Sequence, residues 1–110
     1  MVRVELSLDQ DSCVRRVGIF GHARKGRPGN DIVCAAVSVL AKAYALTIGE
    51  ESGHLVSGDV SVAGSFELEI KHIGDLIQAR SAGRMLQNGL ESIQQEYPAN
   101  IVIEYKKSED

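Results

Sequence analysis

The sequence predicts a single α+β domain with the element order β-β-α-β-β-α-β, about five strands in one sheet and two helices. Three observations predict it: residues 2–8 alternate apolar and polar side chains, two longer segments repeat apolar residues at helical spacing, and no strict βαβ repeat is present. A chain of 110 residues has the length of one domain, so residues 1–110 are assigned to one unit. This mixed order favours helices layered on opposite faces of the sheet.

The first two strands are predicted as a hairpin. The alternation over residues 2–8 is typical of a strand with one buried face. The following residues 9–12, Asp-Gln-Asp-Ser, are turn formers, and residues 13–20 read as the returning strand. A loop rich in glycine then covers residues 21–30.

The first helix follows this loop. Its apolar residues recur at i, i+3 and i+4: Ile32, Ala35, Ala36, Val39, Leu40 and Ala43. Val33, Val37 and Ala41 widen the apolar surface, which predicts burial on more than one side. Asn30 or Asp31 can serve as the N-cap, and Gly49 predicts the end of the helix.

The second half of the chain contributes three strands and the second helix. Residues 50–58 are polar and predict a loop, and residues 60–62 and 66–70 predict two strands joined by a turn at residues 63–65. The strand at residues 101–105 completes the sheet, and the charged residues 106–110 are expected to be mobile.

The second helix is amphipathic. It repeats apolar or small residues at spacings of three and four: Leu76, Ala79, Gly83, Leu86, Leu90 and Ile93. Gly83 and Gly89 each weaken a helix by ~1 kcal/mol relative to alanine, so close packing is expected at Gly83. Pro98 ends the helix.

Composition restricts the function. The hydrophobic fraction of 44% and the charged fraction of 25% are ordinary for a soluble globular protein. A net charge of -3 argues against a general nucleic-acid binder. No signal peptide is apparent, and no stretch approaches the ~20 apolar residues of a membrane span. We therefore expect a cytoplasmic protein in which both cysteines, Cys13 and Cys34, are free thiols.

The segment 21–38, GHARKGRPGNDIVCAAVS, carries the chemistry. With Asp31 as N-cap, Cys34 is at position N3, where free backbone N–H groups and the helix dipole favour a thiolate. His22 can hydrogen-bond this thiol and return a proton to a leaving amine. Gly21 and Gly29 flank the loop and permit backbone angles that other residues resist. These features predict a cysteine nucleophile with a histidine partner.

Other interpretations of the same residues stay open. A cysteine in a helix rich in alanine and valine is commonly a small core residue. Residues 26–29 form a GXXG sequence, and Arg24, Lys25 and Arg27 form a small basic cluster, which suits an RNA-associated or phosphate-binding module that needs no thiol. A purely structural interaction protein is a further alternative.

Cys13 is assigned to packing. His54 and His72 are isolated, without zinc-ligand spacing, and are read as surface or packing residues.

The run Gly21-His22-Ala23, then Gly29, then residues 31–38 (DIVCAAVS) closely resembles the ribosomal-processing cysteine protease family, Prp. The resemblance covers most of the chain, and its specific part is residues 21–38. It implies a catalytic pair at His22 and Cys34. The Asp and Ser of the motif fall on Asp31 and Ser38, for which we expect helix-capping and site-shaping roles. Arg24 to Arg27 make the loop more basic than the family pattern, which bears on substrate preference.

The resemblance also implies an activity and partners. Members are small cytoplasmic homodimers that remove the N-terminal extension of a large-subunit ribosomal protein, the twenty-seventh in the standard count. The loop between histidine and cysteine is expected to be mobile and to order over the substrate. The implied reaction is acyl transfer through a thioester by a Cys–His dyad. No cofactor, metal, membrane or direct nucleic-acid partner is expected.

Overall fold

The order β-β-α-β-β-α-β is confirmed. The computed structural model describes residues 1–21, 30–49, 53–59 and 65–108. Its elements are β1 (Val2–Leu8), β2 (Val14–Phe20), α1 (Asn30–Gly49), β3 (Leu55–Asp59), β4 (Ser65–His72), α2 (Leu76–Glu96) and β5 (Ile101–Lys107). The five strands form one sheet with the spatial order β3-β4-β2-β1-β5.

Neighbouring strands are antiparallel except for one pair. β5 lies parallel to β1, with Val2 opposite Ile101. The alternation predicted for β1 is present, because Val2, Val4 and Leu6 are buried. Arg3 is exposed on the other side of the strand. The sheet therefore has one apolar face and one polar face.

Both helices pack on the apolar face, so the expectation that they lie on opposite faces is wrong. Residues of α1 and α2 belong to one hydrophobic core with the buried side chains of the strands. The members from the sheet's centre include Val4, Leu6, Val17 and Leu68. The physical reason lies in the strands, since alternating patterns offer a single apolar face on which helices can be buried.

The buried face of α1 differs from the predicted one. The side chains that enter the core are Val33, Val37, Ala41, Tyr44 and Ile48. Ile32 and Val39, which the helical pattern placed on the core face, are exposed. The helix is apolar on nearly all sides, so periodicity alone could not identify the side that faces the sheet.

The apolar character of α1 also corrects the expectation about membrane-length segments. Residues 32–49 have a mean hydropathy of 1.9, and by length and composition alone this helix could cross a membrane. Five of its residues, however, are part of the same core as the sheet. The core helix of a globular domain passes the same length and composition test.

The two helices lie antiparallel and approach closely. Near the end of α1, the Gln78 side chain at the start of α2 donates a hydrogen bond of 3.0 Å to the Thr47 carbonyl. Farther along, a Cβ on Gly89 would lie 2.8 Å from a methyl group of Leu40. Close packing at Gly83 is confirmed, because a Cβ there would lie 3.0 Å from Val14.

Two boundaries differ from prediction. β3 covers Leu55–Asp59, and all but its last residue fall in the segment 50–58 predicted as a polar loop. The strand predicted at residues 60–62 and most of the turn after it lie outside the described residues. β5 continues to Lys107, so the first two residues of the tail are ordered by pairing with β1. The Lys106 ammonium also contacts the Glu5 carboxylate at 2.9 Å.

Tyr44 is a polar residue inside this core. Its side chain is 2% exposed, and its hydroxyl makes no hydrogen bond within the part of the chain that the structure describes. Burial raises the pKa of the Tyr44 phenol well above its usual value. A buried hydroxyl without a partner costs free energy, so Tyr44 contributes its ring to the core and opposes folding through its oxygen.

We expect Tyr44→Phe to stabilise the domain by about 1 kcal/mol, because the substitution removes the unsatisfied hydroxyl and keeps the ring. It should also reduce the loss of stability above pH ~10, where the unfolded tyrosine ionises but the folded one keeps its proton. Urea denaturation of both proteins at pH 7 and pH 10.5 measures the two effects. A less stable Tyr44→Phe protein at pH 7 would show that the hydroxyl is satisfied.

Candidate functional site

Cys34 is the fifth residue of α1, because the helix begins at Asn30. The prediction that Asp31 is the N-cap, with Cys34 at N3, is therefore wrong: Asp31 lies inside the helix. The thiol side chain is half-buried and packs against the edge of the core. A side chain in this position is held by packing and still reaches solvent.

This shift alters the electrostatics of the thiol. The helix dipole acts mainly within the first turn, and Cys34 lies at the end of that turn. The backbone N–H groups without acceptors in the helix belong to residues ahead of Cys34. The helix dipole therefore supports the thiol less at this position than it would at N3.

Gly21 fixes the exit of the chain from β2 toward this helix. Its φ is +102°, a conformation that residues with a side chain rarely adopt. A Cβ at this position would lie 2.5 Å from the Met1 carbonyl oxygen. Only glycine fits here, immediately before His22 in the sequence.

The other predicted site residues are distributed as follows. Ser38 is exposed, one turn beyond Cys34 on the same flank of α1. The backbone of Asp31 is helical, and its side chain lies outside the described part of the structure. His22, Gly29 and the loop predicted to close over substrate also lie outside the described residues. Cys34 and Ser38 are thus the predicted side chains that the structure brings together.

His54 is a packing residue, as predicted. The Gly74 N–H donates to its Nδ1 at 2.9 Å, so its Nε2 carries the proton and donates to Gln78 Oε1 at 2.8 Å. Gln78 is the residue that bonds the Thr47 carbonyl near the end of α1. Thr47 lies 13 residues after Cys34, about 20 Å along the helix at ~1.5 Å per residue. His54 therefore lies at the opposite end of α1 from the thiol.

His72 lies at the same distant end of the domain. It is the last residue of β4 and pairs with Leu55 in the sheet. Its side chain is exposed. Neither of the two described histidines is placed to act on Cys34.

Cys13 contrasts with Cys34. It is fully buried at the hairpin between β1 and β2. Desolvation by burial, with a smaller effect from the Asp9 carboxylate, raises the pKa of the Cys13 thiol. Its assignment to packing is confirmed, since a buried neutral thiol is unreactive.

The outer, polar face of the sheet carries an open groove of ≈ 470 Å³ that does not include Cys34. Its lining includes Glu5, Arg16, Phe20, Glu69 and Lys106. Several of these charges are paired with each other, as in the contact of 3.1 Å between Arg16 and Glu69. The groove lies across the sheet from α1, so it is not the cleft that serves Cys34. No group of metal-ligating side chains occurs among the described residues.

A half-buried thiol on the first turns of a core helix can be reached by a substrate, as a cysteine nucleophile must be, whereas the fully buried Cys13 cannot. The chain belongs to the family described as Cysteine protease Prp, whose sequence profile matches residues 1–102. The protein is accordingly a cysteine protease. This membership favours an enzyme over the non-enzymatic binding module.

Solved structures support this assignment. The essential ribosomal processing protease Prp from S. aureus, in complex with a covalently linked product peptide, is 25% identical to this chain. The similarity has a TM-score of 0.82 and covers 96% of this chain and 100% of that one. A second structure of that protease, in complex with a substrate peptide, matches with the same values.

A third structure extends the similarity in fold. SMU.848 from Streptococcus mutans superposes with a TM-score of 0.79 at 21% identity, over 98% of this chain and 99% of that one. No curated protein matches the chain.

We expect Gly21→Ala to lower kcat/KM by about tenfold or more, because a side chain at φ +102° strains the segment that leads to His22. Gly49→Ala is the matched control, since no atom lies within 4 Å of a Cβ placed there. Peptide cleavage rates and thermal midpoints of both variants provide the measurement. Equal rates for the two variants would show that the Gly21 conformation is not used in catalysis.

Proposed function

We propose that this protein removes the N-terminal extension of a large-subunit ribosomal protein, the twenty-seventh, with Cys34 as nucleophile and His22 as its base. The observation that carries the proposal is the contrast between the two cysteines. A cysteine protease needs a thiolate that a substrate can reach. Cys13 is fully buried with a raised pKa, and Cys34 is half-buried on α1.

The assignment of the base rests on a similar elimination. The sequence contains three histidines. His54 uses both ring nitrogens in hydrogen bonds about 20 Å from the thiol, and His72 is at the same far end. His22 follows Gly21 in the sequence, and Gly21 comes directly after the last residue of β2. It is therefore the histidine that we assign to the catalytic pair.

The proposed reaction is acyl transfer. The Cys34 thiolate, with its proton on His22, attacks the scissile carbonyl and forms a tetrahedral intermediate. Free N–H groups of the first turn of α1 stabilise the oxyanion. His22 then gives its proton to the leaving amine, and water hydrolyses the thioester. Gly21, Gly29, Asp31 and Ser38 shape the site, and the pair acts as a dyad.

The substrate follows from the family and from the related S. aureus enzyme. That enzyme is a ribosomal processing protease, and its structures contain a substrate peptide and a covalently linked product peptide. A covalently linked product is what a thiol nucleophile would retain. By analogy, we assign to this chain a ribosomal precursor peptide as substrate.

We further propose a cytoplasmic homodimer. Both cysteines are free thiols, which suits a reducing compartment. Precursors of ribosomal proteins are made and assembled in that compartment. The dimer is the state that the family resemblance implies.

Cys34→Ala is expected to abolish cleavage and leave the fold intact, because alanine is small and favours helix. The matched control is Cys13→Ala, which should retain nearly full activity despite some loss of stability from the buried site. Each protein is incubated with the host's extended ribosomal protein, and the product masses are read by mass spectrometry. Cleavage by the Cys34→Ala protein would exclude Cys34 as the nucleophile.

His22→Ala should slow alkylation of Cys34 by iodoacetamide at pH 7, since the base that raises the thiolate fraction is lost. His72→Ala should react at the wild-type rate. Peptide mapping identifies the modified cysteine, and folded Cys13 should remain unmodified in each protein. If Cys34 reacts only after unfolding, or equally fast in both variants, the proposed pair is wrong.

A further inference from the structure

The outer face of the sheet carries three glutamates in one row across four of its strands. Glu5 of β1 lies opposite Glu104 of β5 on one side and opposite Gly18 of β2 on the other. Gly18 in turn lies opposite Glu67 of β4. Residues that are directly opposite each other share a face of the sheet, so the three carboxylates follow one line that is interrupted at Gly18.

An aromatic ring fills this interruption. A Cβ on Gly18 would lie 2.8 Å from a ring carbon of Phe20, so the ring occupies the space that a side chain at position 18 would take. Gly18 and Phe20 both line the open groove of ≈ 470 Å³, together with Glu5 and Glu67. The groove therefore has an aromatic floor with a carboxylate on either side.

A side chain of the same molecule shows which chemistry this combination of groups accepts. The guanidinium carbon of Arg3 lies 5.5 Å from the centre of the Phe20 ring. Its Nε lies 3.7 Å from a carboxylate oxygen of Glu5. A cation is attracted both by the face of an aromatic ring and by a carboxylate beside it. Arg3 lies outside the groove lining, so the groove itself is open to a second cation.

The charges that line the groove leave a negative excess. Its two basic side chains are held against carboxylates, with Arg16 at 3.1 Å from Glu69 and Lys106 at 2.9 Å from Glu5. Glu67 is exposed, and its carboxylate has no cationic partner within the described part of the chain. The remaining charge attracts a cationic partner and repels the phosphates of a nucleic acid.

We propose that this groove binds a lysine or arginine side chain of the substrate, in the part of the ribosomal precursor that remains after cleavage. Proteins that bind RNA use Lys and Arg to contact its phosphates, so the mature part of such a substrate supplies cationic side chains. One of them lies along the Phe20 ring with its charge beside Glu67. The inference rests on the ribosomal precursor proposed above as substrate and adds a recognition surface that is remote from the thiol.

One substrate chain can reach both the thiol and the groove. They lie on opposite sides of the sheet, and the domain is 20 Å across its shortest axis. An extended chain covers this distance with about seven residues, and about ten allow for a path around the end of the sheet. Phe20 is the last residue of β2, so the groove opens at the strand end that leads, in the sequence, through Gly21 to His22.

A metal ion fits this groove less well. Carboxylates must converge on one point to bind a metal ion, and no such group occurs among the described residues. Here the Phe20 ring lies between Glu5 and Glu67. A side chain with a long apolar stem and a charged end matches an aromatic floor beside a single carboxylate.

The first test measures binding without cleavage. The probe is the host's mature ribosomal protein, without its extension, titrated calorimetrically into the Cys34→Ala protein. Adding Glu67→Lys should raise the dissociation constant about tenfold, because a cation replaces the carboxylate that has no partner. Adding Asp11→Lys is the matched control and should leave the dissociation constant unchanged, since it makes the same change of charge at the exposed hairpin between β1 and β2. Circular dichroism checks that each variant is folded.

The outcomes separate the groove from the proteolytic role. Equal dissociation constants for the Glu67→Lys and Asp11→Lys proteins overturn the groove and leave the protease assignment standing, as does a mature protein that does not bind. Weakening confined to Glu67→Lys supports the groove even if the precursor is not cleaved, because the probe contains no scissile bond.

A second test uses cleavage of peptides that share one cleavage site and differ in length. They end about five or about fifteen residues beyond the scissile bond, and the longer one alone can reach the groove. Glu67→Lys should raise KM for the longer peptide about fivefold, with kcat unchanged, and should leave both constants unchanged for the shorter one. Replacing the lysines and arginines of the longer peptide with glutamine should abolish the difference between wild type and Glu67→Lys. Equal KM values of the two enzymes for the unmodified longer peptide would overturn the proposal.

Discussion

The burial of one ridge of α1 on the apolar face of the sheet is the constraint on which the rest of the structure depends. Val33, Val37, Ala41, Tyr44 and Ile48 occupy this face together with side chains from the strands. The ridge sets the rotation of the helix about its axis. It thereby decides that Cys34 lies at the edge of the core and that Ile32, Val39 and Leu46 point away from it.

The same packing separates the two thiols by their environments. Cys13, at the hairpin, lies inside the core, where loss of hydration favours the neutral thiol. Cys34, on a helix that is anchored by its neighbours, keeps contact with solvent. The fold thus leaves Cys34 accessible and Cys13 enclosed, because a position at the rim of the core combines a fixed backbone with access to solvent.

Different sides of α1 have different surroundings. One side forms the core, one flank meets α2 near Leu40, and another carries Cys34 and Ser38. The outward side remains apolar although the domain itself does not cover it.

The sequence by itself determined the element order, the five-stranded sheet and the family, because alternation, helical spacing and the 21–38 motif are local patterns. The tertiary structure decided which side of each helix is buried and on which face of the sheet the helices pack, because local patterns fit more than one arrangement. The buried side of α1 could not be identified from the sequence, because the helix is apolar on nearly all sides. Both helices share one face of the sheet because the strands offer a single apolar face.

Boundaries depended on pairing in the same way. Leu55–Asp59 contains polar and small residues and became a strand through its partner β4, and the tail residues Lys106 and Lys107 are ordered by β1. The position of Cys34 in its helix moved from the third residue to the fifth, because the helix begins earlier than its candidate caps indicated. These properties depend on contacts between segments that are distant in the sequence, and local sequence patterns do not reveal such contacts.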